Sequence, residues 1–138
     1  AYILANKGAH KDLSLTFDST KDLKELKLRN LSQDDWSKIH ESMVNVIEGN
    51  TGTARRLKNL KTFTVAAKTG TAELVSLESK EDYEETRLDS NLRDHAVIIA
   101  FGPMPNPRYA VSVVVENGES GGSVAGPIAI DVLEALIK

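Results

Sequence analysis

Lys68, Thr69, Gly70 and Thr71 occupy consecutive positions of "TVAAKTGTAEL", residues 64–74, in a run that otherwise reads as a β-strand. Lysine and glycine are both poor strand residues, so the placement calls for a reason. A cation, two hydroxyls and a missing side chain suit a binding edge. An exposed strand edge offers free N–H and C=O groups to which an extended peptide can add as a further strand. Gly70 would let a ligand backbone approach closely because no Cβ intervenes. Lys68 would supply positive charge for an anionic ligand, and Thr69 and Thr71 would supply hydroxyl donors. The plainer alternatives are a strand lysine whose head reaches solvent and a glycine that marks a bulge.

Other groupings carry less chemistry. The cluster "NGESGGSVAG" lacks a G-K-[ST] ending and is expected to be a turn into a serine-capped helix. His10, His40 and His95 lie in unrelated segments without an H-E-x-x-H pattern, so no metal site is expected. The carboxylates fall in charged loops and helix starts, with no pair in an apolar setting that would tune one as an acid. Two methionines and one tryptophan form no cofactor box, and no cofactor is expected.

The elements that must hold the 68–71 tetrad follow from periodicity. "SQDDWSKIHESMVNVIEGN" is a helix with Ser32 as N-cap, Asp34 and Asp35 in its first turn and Gly49 at its end. Its core stripe is Trp36, Ile39, Met43, Val46 and Ile47, with His40 off the stripe and exposed. Strand candidates are "TFTVAAKTGTAEL", "HAVIIAFGP" and "RYAVSVVVENG". The second is nearly continuous in apolar residues, as in a strand covered on both faces. The third alternates, with Val111, Val113 and Val115 on one face and Ala110, Ser112 and Val114 on the other. "PMPNP", residues 103–107, links the second and third as an antiparallel hairpin. "GPIAIDVLEALIK" closes the chain as a helix with Pro127 in its first turn and Ile128, Val132 and Leu136 as its stripe. The fold class is α+β: an antiparallel sheet of three strands with helices packed on it.

Two further segments bear on organisation. Residues 9–31 are polar, with Leu13, Leu15 and Phe17 alternating in a short strand-like run. Residues 73–94 hold eight acidic and three basic side chains and read as a charged surface loop. At the start, "AYILANKG" has no Met, and Asn6 to Gly8 looks like the C-terminal stop of a helix; a frayed extended start is the alternative.

With 138 residues, 41% hydrophobic and 27% charged, the chain suits one soluble domain with a real core. A net charge of −3 leaves no basic footprint for nucleic acid. No cysteine means no disulfide framework and no thiolate metal site. No stretch approaches a membrane span.

Several strings together resemble the C-terminal part of a class B penicillin-binding protein transpeptidase domain. They are "LANKG", "DDWSKIHESMVNVIEG-NTGTA", "VAAKTGTAE", "LRDHAVIIAFGPMPNPRYAVSVVVENG" and "GGSVAGPIAIDVLEALI", and they run nearly end to end. K-T-G is the third signature of such proteins, beside S-x-x-K and S-D-N. The "LRDHA…IAFGP" and "VVVENG" strings look more like the elongation-type member, penicillin-binding protein 2, than the division-type one. The resemblance implies a partial penicillin-binding/β-lactamase-like transpeptidase fold over residues 1–138. It implies Lys68 and Thr71 as catalytic residues and Lys68, Thr69, Gly70 and Thr71 as substrate-binding residues. The ligands would be peptidoglycan stem peptides ending in D-Ala-D-Ala, and β-lactams. The backbone N–H of Thr71 would be one of two oxyanion-hole donors. Thr53, Arg93, Asp94 and His95 also match the family's strings and are expected to be structural.

The family's acylated serine stands in S-x-x-K, and no serine of this chain has a lysine three residues on; no S-x-N exists either. Both motifs lie upstream in the family, so the chain is expected to be a truncated domain that lacks acyl-transfer activity by itself. Its partners would then include the upstream part of its own domain. The parent would be a membrane-anchored D,D-transpeptidase acting on the outer side of the cytoplasmic membrane, in contact with elongation-complex membrane proteins. Two alternatives stay open: a non-enzymatic α+β module binding a peptide or partner along its strand edge, and a β-lactamase or β-lactam sensor of the same fold.

Overall fold

Ser32 starts the longest helix by a reciprocal cap. Its hydroxyl accepts from the Asp35 N–H at 3.2 Å, while the Asp35 carboxylate accepts from the Ser32 N–H at 2.9 Å and from its hydroxyl at 2.7 Å. In the computed structural model, which describes residues 1–10, 24–25, 31–74 and 92–137, this helix spans Gln33–Glu48. It is here named α2, after a short α1 at Tyr2–Ala5. The expected stop follows α1: Lys7 and Gly8 have φ of 50° and 90°, and the Gly8 N–H donates to the Ile3 carbonyl at 2.9 Å.

One correction concerns α2. His40 is buried rather than exposed: it shares the buried face of α2 with Trp36, Met43 and Ile47, where α1 and Phe101 cover it. Its ring tilts against Phe101 at 5.4 Å, and Nε2–H donates to the Leu4 carbonyl at 2.7 Å. A buried polar group with its bond made is a core residue.

Strand β1 (Ala9–His10) pairs antiparallel with β2 (Lys24–Glu25). The expected Leu13–Phe17 run lies outside the described residues, as do residues 75–91 of the charged loop. The main sheet is β3 (Ala66–Ala72), β4 (His95–Gly102) and β5 (Tyr109–Val115), antiparallel throughout, with β4 in the centre. The expected hairpin between β4 and β5 is present, closed by the Arg108 N–H on the Gly102 carbonyl at 2.9 Å.

Helices cover both faces. On one, Ala67, Ala96, Ile98 and Ala100 pack with Val111, Val113 and Val115 against the last helix, α3 (Gly126–Ile137), and against Ile47, Leu57 and Val65. On the other, Ala66, Ile99 and Phe101 meet Met43, Ile39 and Val44 of α2 and Leu4 of α1. The apolar run of β4 thus has cover on each side, with Ile98, Ala100 and Phe101 fully buried.

A second correction concerns α3. Ile128, Val132 and Leu136 are 44%, 39% and 48% exposed, and the face that enters the core is Ala129, Ile130 and Leu133. The helix is apolar nearly all round, so periodicity does not choose a face. Close approach does: a Cβ on Gly126 would lie 2.8 Å from Leu57 Cδ1, and small Ala129 sits one turn on. The helix is entered through a single wide turn at Gly121–Ala125 in which the Ser120 hydroxyl accepts from the Ser123 N–H at 3.2 Å, so the glycine cluster is the turn expected. Among the described residues no helix is long and apolar enough to cross a membrane.

Candidate functional site

The 68–71 tetrad lies on β3, whose outer edge pairs with no strand among the described residues. Alternation splits the tetrad. Lys68 and Gly70 belong to the face shared with their partners Ile99 and Val97, whereas Thr69 and Thr71 belong to the face shared with Ile98 and Ala96. The four residues therefore straddle an edge and do not line one wall. Lys68 and Thr71 are exposed; Thr69 and Gly70 are half-buried.

Gly70 is not a bulge, since the pairing runs without interruption from Ala66↔Phe101 to Ala72↔His95. Its φ is not in the left-handed region, and a Cβ built on it would meet only Val97 side-chain atoms at 3.6 and 3.9 Å, ordinary contact distances. Among the described residues nothing requires glycine there. The Lys68 ammonium donates to the Thr69 carbonyl at 2.5 Å along the strand.

Thr69 has a partner that spacing could not reveal. Its hydroxyl lies 2.8 Å from the hydroxyl of Thr53, sixteen residues earlier in the turn that follows α2. That turn is pinned by the Ala54 N–H on the Val46 carbonyl and the Gly52 N–H on the Gly49 carbonyl, both at 3.0 Å. Thr53 is expected from the sequence to be structural only, and no local signal joins it to Thr69.

Gly121 and Gly122 bring the pieces together. A Cβ on Gly121 would fall 2.2 Å from the Val97 carbonyl oxygen and 2.8 Å from that of Gly70; one on Gly122 would fall 2.5 Å from that of Thr53. Backbone packs on backbone at both positions, which only glycine allows.

The other residues from the matching strings form a separate knot where β4 begins. The Asn117 N–H donates to His95 Nδ1 and its side-chain amide to the Arg93 carbonyl, both at 3.0 Å, and the Glu119 N–H donates to the Asp94 carbonyl at 2.8 Å. Arg93 Nε stands 4.0 Å from the Glu119 carboxylate. Arg93, Asp94 and His95 thus tie β4 to the turn after β5, and His95 stands opposite Ala72 at the end of β3. Among the described residues no three His, Asp or Glu side chains gather as a metal site would need.

Among the described residues two carboxyls stand below their ordinary values, both on α2 and not on β3. At Glu48 the main cause is the hydrogen bond from the Lys61 ammonium, with Lys58 adding to it and burial opposing. At Asp35 it is the hydroxyl and backbone N–H of Ser32. Both hold α2, at its end and its start.

Comparison with known proteins bears on the whole chain. The family model described as the penicillin binding protein transpeptidase domain matches residues 1–134. The chain is similar to the peptidoglycan D,D-transpeptidase MrdA of Haemophilus influenzae, 36% identical over 99 residues, covering 72% of this chain and 15% of that protein. Against MrdA of Acinetobacter baumannii it is 33% identical over 132 residues, covering 89% of this chain and 19% of the relative. The chain thus spans less than a fifth of either relative's length. Among solved structures it is similar to Pseudomonas aeruginosa PBP2 in complex with WCK 5153, with a TM-score of 0.73 at 33% identity over 97% of this chain and 28% of that one. It is similar also to Helicobacter pylori PBP2 in complex with MreC, with a TM-score of 0.76 at 26% identity, over 97% of this chain and 23% of the other.

Proposed function

This chain belongs to the penicillin-binding protein transpeptidase family, and on that premise we propose that β3 is the substrate-binding edge of a peptidoglycan D,D-transpeptidase. Lys68 supplies charge to an anionic peptide end and to the surroundings of the nucleophile. Thr69 and Thr71 donate hydroxyls to a terminal carboxylate, of a D-Ala-D-Ala stem or of a β-lactam. The Thr71 N–H serves as one of two oxyanion donors, each worth about 2.7–4 kcal/mol in acyl transfer. Gly70 admits the ligand backbone.

The observation that carries this reading is Gly70 itself. It sits in unbroken register on an edge strand with only ordinary contacts where a Cβ would point. A glycine that the fold does not need is explained by something that must come close to it.

The serine that is acylated lies in the remainder of the protein, since no S-x-x-K occurs here. Among the described residues the outer edge of β5 pairs with no strand and Ile128, Val132 and Leu136 are exposed, two surfaces available to that remainder. The whole protein is anchored in the cytoplasmic membrane, with this domain on its outer side, and works beside membrane proteins of the elongation complex. Similarity to the A. baumannii MrdA relative supports the transpeptidase assignment, and the H. pylori PBP2–MreC complex supports a protein partner.

Incubation with a fluorescent penicillin tests the proposal. Covalent labelling is expected for the full-length protein and not for the 138-residue chain. Label on the chain alone would refute the assignment of the nucleophile to another segment. A full-length protein that takes no label would point instead to a binding module.

A further inference from the structure

We propose that Thr53 is a positioning residue that aims the hydroxyl hydrogen of Thr69 at the anionic ligand; the inference rests on β3 being the ligand edge. A threonine hydroxyl has one hydrogen and two acceptor lone pairs. In the free protein either hydroxyl of the 2.8 Å pair can donate to the other. Once Thr69 gives its hydrogen to a carboxylate it can only accept from Thr53, so the order becomes Thr53 O–H to Thr69 O–H to carboxylate. Accepting one hydrogen bond strengthens the next along the chain. While Thr53 donates, the Thr69 hydrogen cannot point back at Thr53, so fewer orientations are lost when the ligand arrives.

The arrangement is built by three parts of the chain. The Thr53 turn is anchored on the end of α2 through the carbonyls of Val46 and Gly49. Thr69 is set by its register with Ile98. Gly122 lies against the Thr53 carbonyl and Gly121 against those of Gly70 and Val97, so the glycine pair gauges the spacing between turn and strand. Thr53 is exposed and Thr69 half-buried, which leaves the pair open to a ligand from solvent.

The test compares Thr53→Val, Thr53→Ser, Thr69→Val and the Thr53→Val/Thr69→Val double variant in the full-length protein. Measured are the second-order rate of acylation by a fluorescent penicillin and the thermal midpoint. Thr53→Val is expected to slow acylation about tenfold, the order of one hydrogen bond, with the midpoint nearly unchanged. Thr53→Ser keeps the donor and stays near the wild-type rate. In the Thr69→Val background, Thr53→Val has no further effect, and with a penicillin esterified at its carboxylate it has none in either background. A wild-type rate for Thr53→Val, or the same slowing with and without Thr69, overturns the inference. Should Thr53→Val lower the midpoint, Thr53→Ala and the acid-to-ester rate ratio decide in its place. The underlying reading fails separately: it falls if Thr69→Val and Lys68→Ala both acylate at the wild-type rate, whatever Thr53 does.

Discussion

Gly70 and Val97 are partners in an unbroken antiparallel register, and a Cβ placed on Gly70 would stand 3.6 Å from that of Val97. The fold would accept that atom without moving. Gly70→Ala is therefore expected to change folding stability by less than about 1 kcal/mol. Acylation of the full-length protein by a fluorescent penicillin should fall more than about tenfold, since a small misplacement of reacting groups costs rate steeply. Undiminished labelling of the variant would leave the glycine without a ligand to serve.

Lys68 is exposed, and its one hydrogen bond among the described contacts is to the next residue's carbonyl. Removing it costs the fold little, within about 0.5 kcal/mol for an exposed position. Lys68→Ala should nonetheless slow acylation on the order of a hundredfold, as loss of a preorganised charge does. Equal acylation rates for variant and wild type would show Lys68 to be an ordinary edge lysine.

At Gly121 the balance is reversed. An added Cβ would lie 2.2 Å from the Val97 carbonyl oxygen, which is backbone and cannot swing aside. Gly121→Ala is expected to destabilise the protein by about 1–3 kcal/mol, read as a lower urea midpoint. A midpoint equal to wild type would contradict the close packing of the glycine pair.

The two sides of α3 should respond unequally. Leu133 is fully buried and Val132 is 39% exposed. In the 138-residue chain Leu133→Ala should cost about 2–5 kcal/mol, while Val132→Ala stays under about 1 kcal/mol. Similar losses at both positions would contradict Ala129, Ile130 and Leu133 as the inner face.

Acid should weaken the fold through α2. Glu48 and Asp35 sit below their ordinary values of 4.5 and 3.8, held by Lys61 and Ser32 respectively. The folded state thus favours the ionised forms. Their contribution is complete above the unfolded values and is lost as pH falls through the lowered ones. The urea midpoint should be level near neutrality and decline below about pH 4.5, where protonation of these carboxyls begins. Lys61→Met should flatten part of that decline by releasing Glu48. An unchanged acid slope in Lys61→Met would remove the Glu48 contribution.

Residue types and their periods were enough to place α2 with its serine cap, the three strands of the main sheet and the hairpin between β4 and β5. Those features rest on hydrogen bonds and alternation within a few residues, so each is written locally. The K-T-G stretch was legible for a similar reason: a glycine and a lysine inside a strand stand out wherever they occur. Four other features came only from packing. His40 is buried because α1 and Phe101 converge on it. The inner face of α3 was settled by how closely Gly126 lets it approach Leu57. Gly70 lost its reading as a bulge once the register on both sides was continuous. Thr53 met Thr69 because a turn on α2, an edge strand and a pair of glycines near the end of the chain come together at one place. Contacts between distant segments depend on how surfaces fit, and surface fit has no period along a sequence.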